Sequence, residues 1–318
     1  MVHISKKIIK GKQYTYLVKS IRLPDSSIKT LSKLMKEKGS AKSLGKKYSD
    51  YFLKNEKEAH VKWALKKFEK SSVLTVEEIS KIESIRLDYK SLIKHLTKEQ
   101  HKDIFDRFIV NFTYESNALE GNSLTLKDVA IVIFEGQHAK GKDLREIYEA
   151  RNSRAVLNLL IRKKIKISHE SIIRIHTLLM KDIDSRRGYK KLPNFLLGKR
   201  LQTTPPEKVY SEMTALIDWF NASMGKLHPI IVASIFHSKF EKIHPFEDGN
   251  GRVGRFLANA ILVNSNYPPL IIRKTSRTAY FNCLEAADNG SYNKIERFFI
   301  EKFKKTYRNF FEIYAKYL

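Results

Sequence analysis

Apolar residues recur with the period of an α-helix through most of the chain after residue 41. One of these helices has clear limits, because Thr97 and Gln100 form a capping box at its start and Gly121 follows its end. Helices are also expected over 42–95, 125–134, 143–163, 168–183, 207–220, 276–287 and 295–317. The fold class that this pattern predicts is mainly α.

Two stretches depart from the helical pattern. Between Ile4 and Leu31, β-branched and aromatic residues are separated by turn residues, which predicts two or three short strands. Residues 188–206 contain two short apolar runs bounded by glycine and proline, which favours a β-hairpin. We therefore expect a basic N-terminal region over 1–95, with strands first and helices after, and a helical domain over 96–318.

The segment from His244 to Arg255 joins two apolar helices and concentrates polar side chains between them. It has the sequence His-Pro-Phe-Glu-Asp-Gly-Asn-Gly-Arg-Val-Gly-Arg. The second helix presents its unpaired N–H groups there, and Gly249 and Gly251 let a ligand approach the backbone closely. Arg252 and Arg255 are three residues apart and so share a helix face. Phosphate is the ligand that such a site favours.

Two further side chains in this segment give it chemistry beyond anion binding. Asp248 is a hard oxygen ligand of the kind that Mg²⁺ uses when it shares its coordination with substrate phosphates. His244 can accept a proton near neutral pH without a large pKa shift. The combination indicates phosphoryl or nucleotidyl transfer to a hydroxyl group.

The segment fits H-x-F-x-[DE]-G-N-G-R-x-x-R at every fixed position and so resembles the signature of the Fic family. The resemblance implies a protein adenylyltransferase, which moves AMP from Mg-ATP to a Ser, Thr or Tyr hydroxyl of a target protein. It implies that His244 deprotonates that hydroxyl and that Asp248 binds Mg²⁺. The nucleotide-binding residues that it implies are Gly249, Asn250 and Gly251 at the α-phosphate, Arg252 and Arg255 at the β- and γ-phosphates, and Tyr280 near the adenine.

The resemblance also implies a fold and a place for the target. The fold is a Fic-type helical bundle with one flap hairpin, here residues 188–206. The flap would hold the target protein by strand addition, which gives affinity with little sequence preference. The resemblance begins near residue 100, so it leaves the N-terminal region without a role.

Residues Ser116 to Gly121 fit [ST]-x-x-x-E-[GN], which resembles the inhibitory helix that some Fic proteins carry ahead of the catalytic domain. The resemblance implies that helix 97–121 is inhibitory and that Glu120 pairs with Arg255 where ATP phosphates bind. The same residues also describe an ordinary helix end before a glycine. Glu120 could instead position a water molecule, so removal of AMP and transfer of another phosphate-containing group stay open.

Positive charge is concentrated at the start of the chain. The net charge is +26, and residues 1–100 hold 24 Lys and Arg against 11 Asp and Glu. Half of the net charge therefore lies in the first third. A basic surface attracts nucleic acid or acidic proteins, but charge alone does not choose between them. A nucleic-acid-binding or protein-binding regulator acting through residues 1–95 is therefore the third functional alternative.

The remaining features exclude several classes of protein. Cys283 is the only cysteine, so no intramolecular disulfide is expected. No apolar run approaches the length of a membrane span, and we expect no membrane association and a cytoplasmic location. Residues 136–143 nearly fit a P-loop, but Asp143 stands where that motif needs a hydroxyl, which favours a surface loop. The sequence leaves the target, the preferred nucleotide and a homodimer open.

Overall fold

A computed structural model describes residues 2–137, 141–194 and 203–316 of the chain. It contains three strands and a succession of helices, which confirms the predicted mainly α fold class. The elements are β1 Val2–Ile9, β2 Lys12–Arg22, β3 Ile28–Leu34, α1 Ala41–Lys47, α2 Ser49–Lys67, α3 Val76–His95, α4 Lys98–Leu119, α5 Leu126–Ala130, α6 Leu144–Ile161, α7 His169–Leu179, α8 Pro206–Ser223, α9 Pro229–Ile243, α10 Asn250–Asn264, α11 Arg277–Asp288, α12 Asn293–Thr306 and α13 Glu312–Lys316.

The chain forms two compact units, Met1–Leu87 and Asp88–Leu318. The boundary predicted from the sequence lies eight residues later, between 95 and 96. None of the helices within the described ranges combines the length and the apolar character that a membrane crossing requires.

The first unit is built on an antiparallel sheet with the strand order β1-β2-β3. Lys10 and Gly11 both have positive φ, as the type I′ turn of a two-residue hairpin requires. One face of the sheet packs on α1 and α2 through a small apolar core. Its buried residues are Leu17, Ile21, Leu31, Met35, Leu44, Phe52 and Ala59. The predicted strands are confirmed, and the role of this basic unit stays a prediction.

The second unit is organised around α9 and α10. Nearly every residue of both helices is buried, so both are enclosed by other helices, and α10 also buries the polar side chains of Asn250, Arg252, Arg255 and Asn259. Helix α10 contacts α4, α6 and α7, whereas α9 contacts α8, α11 and α12. The short connection between them, residues 244–249, therefore extends from the most buried part of the fold.

Helix α4 carries the predicted inhibitory segment. Thr97 and Gln100 form the expected capping box, with Gln100 N to Thr97 Oγ1 at 3.2 Å and Thr97 N to Gln100 Oε1 at 2.9 Å. The phenylalanines on its buried face contact α10 and the C-terminal segment: Phe112 packs on Phe256, and Phe108 on Phe311. This packing holds the end of α4 against the start of α10.

The predicted flap lies only partly within the described residues. Its central part, 195–202, falls outside them, so the hairpin stays a prediction. The preceding segment, 188–194, has neither helical nor strand structure.

Removing an aromatic side chain from the buried face of α4 should destabilise the second unit. Phe108 is fully buried against Phe112, Phe310 and Phe311. We expect Phe108→Ala to lower the free energy of unfolding by about 3–5 kcal/mol, because it removes apolar contacts and leaves a cavity. Urea unfolding followed by Trp219 fluorescence, in a Trp63→Phe background, measures this change. The control Phe134→Ala, at a phenylalanine that is 44% exposed, should cost less than about 1 kcal/mol; similar losses for both variants would contradict the prediction.

Candidate active site

His244 lies where helix α9 ends and is half-buried. Its backbone is left-handed, with φ 53° and ψ 61°, and its N–H donates to Phe240 O at 2.9 Å. The imidazole Nδ1 lies 3.3 Å from Glu241 O. Because a carbonyl oxygen only accepts, this contact favours a proton on Nδ1 and leaves the lone pair on Nε2. The geometry thus prepares Nε2 to act as a base.

The loop after His244 is closed by a reciprocal pair of hydrogen bonds. Phe246 N donates to Asn250 Oδ1 at 2.8 Å, and Asn250 Nδ2 donates to Phe246 O at 2.7 Å. The Phe246 ring is fully buried and stacks on His176 with 3.8 Å between centroids. The Asn250 side chain therefore holds the shape of the loop. That the backbone of Asn250 contacts phosphate stays a prediction.

His176 supports the loop from helix α7. Its Nε2 donates to the backbone oxygen of Asp248 at 3.1 Å. Burial lowers the pKa of His176 to about 4, so the ring is neutral at physiological pH. A neutral ring with its proton on Nε2 can stack on Phe246 and also hold the loop backbone. Its position on an apolar helix face gives no sign of this role in the sequence.

Asp248 lies at the mouth of the site, with its side chain 38% exposed. One carboxylate oxygen accepts from Gly249 N at 2.5 Å, and the other pairs with Arg145 of α6. Glu149, one turn after Arg145, lies 3.2 Å from Arg252 Nη1. Neighbouring side chains therefore alternate in charge, in the spatial order Arg145, Asp248, Arg252 and Glu149. Arg145 and Glu149 were not predicted from the sequence, and their spacing of four residues on α6 is shared with many surface ion pairs.

The two arginines of the motif are buried, and some of their N–H donors have no acceptor. Arg252 is 2% exposed and Arg255 is 3% exposed. Within the described part of the chain, Arg252 Nε and Arg255 Nη1 make no hydrogen bond, and Arg252 Nη1 has only its ion-pair contact with Glu149. Buried donors without partners are rare and costly, so they indicate a ligand rich in acceptors.

The predicted inhibitory residues, Ser116 and Glu120, both contact Arg255. Arg255 Nε donates to Ser116 Oγ at 2.9 Å, Nη2 donates to Ser116 O at 2.8 Å, and the same Nη2 lies 2.7 Å from Glu120 Oε1. Burial disfavours the charged guanidinium, but the carboxylate of Glu120 outweighs it and keeps the pKa of Arg255 above its usual value. The structure therefore brings together Glu120 and the arginine with which the resemblance paired it.

The Glu120 carboxylate also occupies the space in front of the α10 backbone. A Cβ atom at Gly251 would overlap with Glu120 Oε1 and lie 3.0 Å from Arg255 Nη1. Gly249 has φ +79°, and a Cβ atom there would lie 3.0 Å from Met180 Sδ. Glycine is needed at both positions, at one for the close approach and at the other for the backbone conformation. The Glu120 carboxylate is therefore an anion that already lies at the unpaired N–H groups of α10.

Tyr280 lies behind Arg255 and not on an open wall of the site. It is 1% exposed, and its hydroxyl lies 2.7 Å from His237 Nε2. His237 is fully buried, and burial lowers its pKa to about 3, which indicates a neutral packing residue. This position favours core packing for Tyr280 over a contact with adenine. The predicted adenine contact remains a prediction that the described contacts do not support.

Known proteins match the chain around this site. Residues 166–262 match the model of the Fic/DOC family. The chain is 33% identical over 190 residues to "Protein adenylyltransferase Fic" of Nematostella vectensis, which covers 58% of this chain and 44% of that protein. It is 30% identical over 193 residues to "Protein adenylyltransferase fic-1" of Caenorhabditis briggsae, covering 59% and 38%. The chain thus spans about two fifths of the length of these curated relatives.

The fold has solved counterparts as well. A Fic domain containing signaling protein from Bacteroides thetaiotaomicron VPI-5482 superposes with a TM-score of 0.68 at 24% identity, over 74% of this chain and 97% of that one. The family match thus agrees with the resemblance carried by residues 244–255. Residues 166–262 are therefore similar to the Fic/DOC family, and the helical unit that contains them shares its fold with a solved Fic domain.

Proposed function

We propose that the protein is an adenylyltransferase that transfers AMP from Mg-ATP to a Ser, Thr or Tyr hydroxyl of a target protein and is inhibited by its own Glu120. The observation that carries the proposal is the set of unsatisfied N–H donors on buried Arg252 and Arg255 beside the first turn of α10. A triphosphate offers many negatively charged acceptors to this surface. The adenylyltransferase names of the relatives support the same activity.

In the proposed reaction, the target hydroxyl oxygen forms a bond to the α-phosphorus, and the bond from that phosphorus to the pyrophosphate oxygen breaks. His244 Nε2 takes the hydroxyl proton, since the contact of Nδ1 with Glu241 O favours a proton on Nδ1 and leaves the Nε2 lone pair available. Arg252 and Arg255 hold the β- and γ-phosphates and stabilise the charge that leaves with pyrophosphate. The flap, residues 188–206, would hold the target by strand addition.

The residues at the mouth of the site fit a magnesium ion that is shared with ATP. Asp248 is an accessible carboxylate, and no cluster of three His, Cys, Asp or Glu side chains in the described ranges could hold a metal without the substrate. Mg²⁺ suits this arrangement, because it binds through one or two carboxylates together with phosphates and water. When bound, the ion neutralises phosphate charge. Arg145 now pairs with Asp248 and must release it for that role.

Glu120 opposes productive ATP binding in three ways. Its carboxylate fills the space over Gly251, and its charge repels phosphate oxygens. It also occupies Arg255, which the γ-phosphate needs. Occupancy, repulsion and competition therefore act in the same direction.

Replacing Glu120 should activate the enzyme, and two substitutions separate the causes. Glu120→Gly removes both the bulk and the charge, whereas Glu120→Gln keeps the bulk and removes the charge. We expect AMP incorporation from α-labelled ATP to rise at least about tenfold in Glu120→Gly, which corresponds to a loss of ~1.4 kcal/mol of competition between Glu120 and ATP. The rise should be smaller in Glu120→Gln. Incorporation is measured by scintillation counting and intact mass.

A matched control for this experiment is Glu99→Gln, which changes an exposed glutamate at the other end of α4. It should leave incorporation at the wild-type level. Background labelling in Glu120→Gly across many candidate target proteins would refute inhibition by Glu120. Removal of AMP from a premodified protein by wild type, and not by Glu120→Gly, would assign the reverse reaction.

Removing the proposed base should abolish transfer without affecting nucleotide binding. In the Glu120→Gly background, we expect His244→Ala to lower the turnover rate by about 10²–10⁴-fold, the range for the loss of a general base. The affinity for ATP, measured by calorimetry, should stay within about threefold, because His244 contacts no phosphate in the proposal. Retained turnover in this variant would show that His244 is not the base.

Replacing Asp248 should weaken metal binding and leave the fold unchanged. In the Glu120→Gly background, we expect Asp248→Asn to weaken the binding of Mn²⁺ in the presence of ATP by about tenfold or more, since a charged ligand is replaced by a neutral one. Electron paramagnetic resonance of free Mn²⁺ measures this directly and needs no turnover. Glu247→Gln, at the neighbouring acid, should leave Mn²⁺ binding unchanged; an equal loss in both variants would contradict a specific role for Asp248.

A further inference from the structure

A buried lysine at the start of the flap lies beside the catalytic loop, and strand addition by the flap backbone gives its side chain no role. Lys190 is 3% exposed. Its ammonium donates to Asn194 Oδ1 at 2.7 Å and to Thr203 Oγ1 at 3.0 Å. In the described ranges, no carboxylate lies within ion-pair distance of it. Burial lowers the pKa of Lys190 to about 8, and a weaker effect of Glu247 opposes that shift. A desolvated charge whose hydrogen-bond acceptors are all neutral is costly, which indicates that Lys190 has a specific role in the fold.

The contacts of Lys190 lead to the two carbonyl groups that follow His244. Its backbone N–H donates to Pro245 O at 2.8 Å. Asn194, which its ammonium holds, donates from Nδ2 to Phe246 O at 2.9 Å. Lys190 therefore contacts the loop directly through its backbone and indirectly through Asn194.

Thr203 completes the network around the ammonium. Its hydroxyl lies 3.1 Å from Asn194 O and 2.9 Å from Asn194 Oδ1. The Asn194 amide oxygen thus faces the ammonium, and its NH₂ group must then face Phe246 O. A positive charge on Lys190 fixes this orientation of the amide, because the ammonium can only donate.

The loop needs such support because its first residue is strained. His244 has a left-handed backbone, which a residue with a Cβ atom adopts only when its surroundings require it. The carbonyl groups of the next two residues are the points where Lys190 and Asn194 hold the loop. A small displacement there moves the imidazole relative to the hydroxyl that it must deprotonate.

We propose that Lys190 is a positioning residue for the catalytic base, which acts through Asn194 and the Pro245–Phe246 carbonyl groups. The inference rests on the proposed function, since it assumes that His244 is the base. Lys190 contacts neither the nucleotide nor the reacting atoms. Its effect should therefore fall on the turnover rate and not on the binding of ATP.

The test is a double-mutant cycle in the Glu120→Gly background. Lys190→Met removes the donors while keeping an unbranched side chain, and Asn194→Leu removes the amide. We expect each to lower kcat by about tenfold, the size for a lost hydrogen bond to a charged group, with the KM for ATP unchanged. Because both residues act through one contact, the double variant should be no slower than the slower single variant. Effects that multiply in the double variant would overturn the proposal.

The control is Lys208→Met, which makes the same change of charge at an exposed lysine of α8, outside the flap. Its backbone N–H donates to Pro205 O at 3.0 Å and would still do so in the variant. Its kcat should stay within about twofold of the parent value. An equal loss of kcat in Lys208→Met would show a general effect of charge and would overturn the proposal.

Hydrogen–deuterium exchange provides a measurement that is independent of turnover. Peptides spanning residues 244–250 should exchange faster in Lys190→Met and Asn194→Leu, and at the parent rate in Lys208→Met. Unchanged exchange in this segment in Lys190→Met would refute the proposal even if adenylyl transfer is confirmed. Faster exchange in a protein that transfers no AMP would support the contact and place the failure in the proposed function. If Lys190→Met does not fold, Lys190→Leu, which also lacks a donor, replaces it under the same criteria.

Discussion

The guanidinium of Arg255 is the group around which the site is assembled. A charge that is 97% removed from solvent needs partners, and the protein provides them from a helix that is 139 residues away in the chain: the hydroxyl and carbonyl of Ser116 and the carboxylate of Glu120. Even so, Nη1 of Arg255 has no acceptor among the described residues. The arginine is therefore held firmly enough to keep its position and remains able to bind another anion.

The buried helix pair α9 and α10 explains why these charges are placed so closely. Apolar residues surround both helices, so the loop between them cannot move far without exposing the core. Phe246 inserts into this core from the loop, and Asn250 closes the loop on the Phe246 backbone. The loop thus has a fixed shape before any ligand arrives, which is what a catalytic base requires.

The charged residues at the mouth of the site have a different physical character. Arg145 and Asp248 are both substantially exposed, so their ion pair is screened by water and contributes little to stability. Such a pair can be exchanged at low cost for a metal ion or a phosphate. In the Arg255–Glu120 pair only the arginine is buried, at 3% exposure, whereas the Glu120 side chain is 37% exposed. The site therefore combines a permanent buried framework with exchangeable contacts at its entrance.

The sequence by itself determined the helical fold class, the strands of the first unit, the limits of α4 and the twelve-residue motif with its loop and helix start. These features depend on backbone hydrogen bonds and on apolar spacing over a few residues, so they are visible locally. The resemblance carried by the motif also anticipated the pairing of Glu120 with Arg255. Only the tertiary structure decided that Arg145 pairs with Asp248, that Tyr280 lies in the core and that Lys190 holds the carbonyl groups after His244. The contacts among these that join separate parts of the fold span 43 to 103 positions of the chain, and their partners are chosen by the packing of whole helices and not by any local pattern.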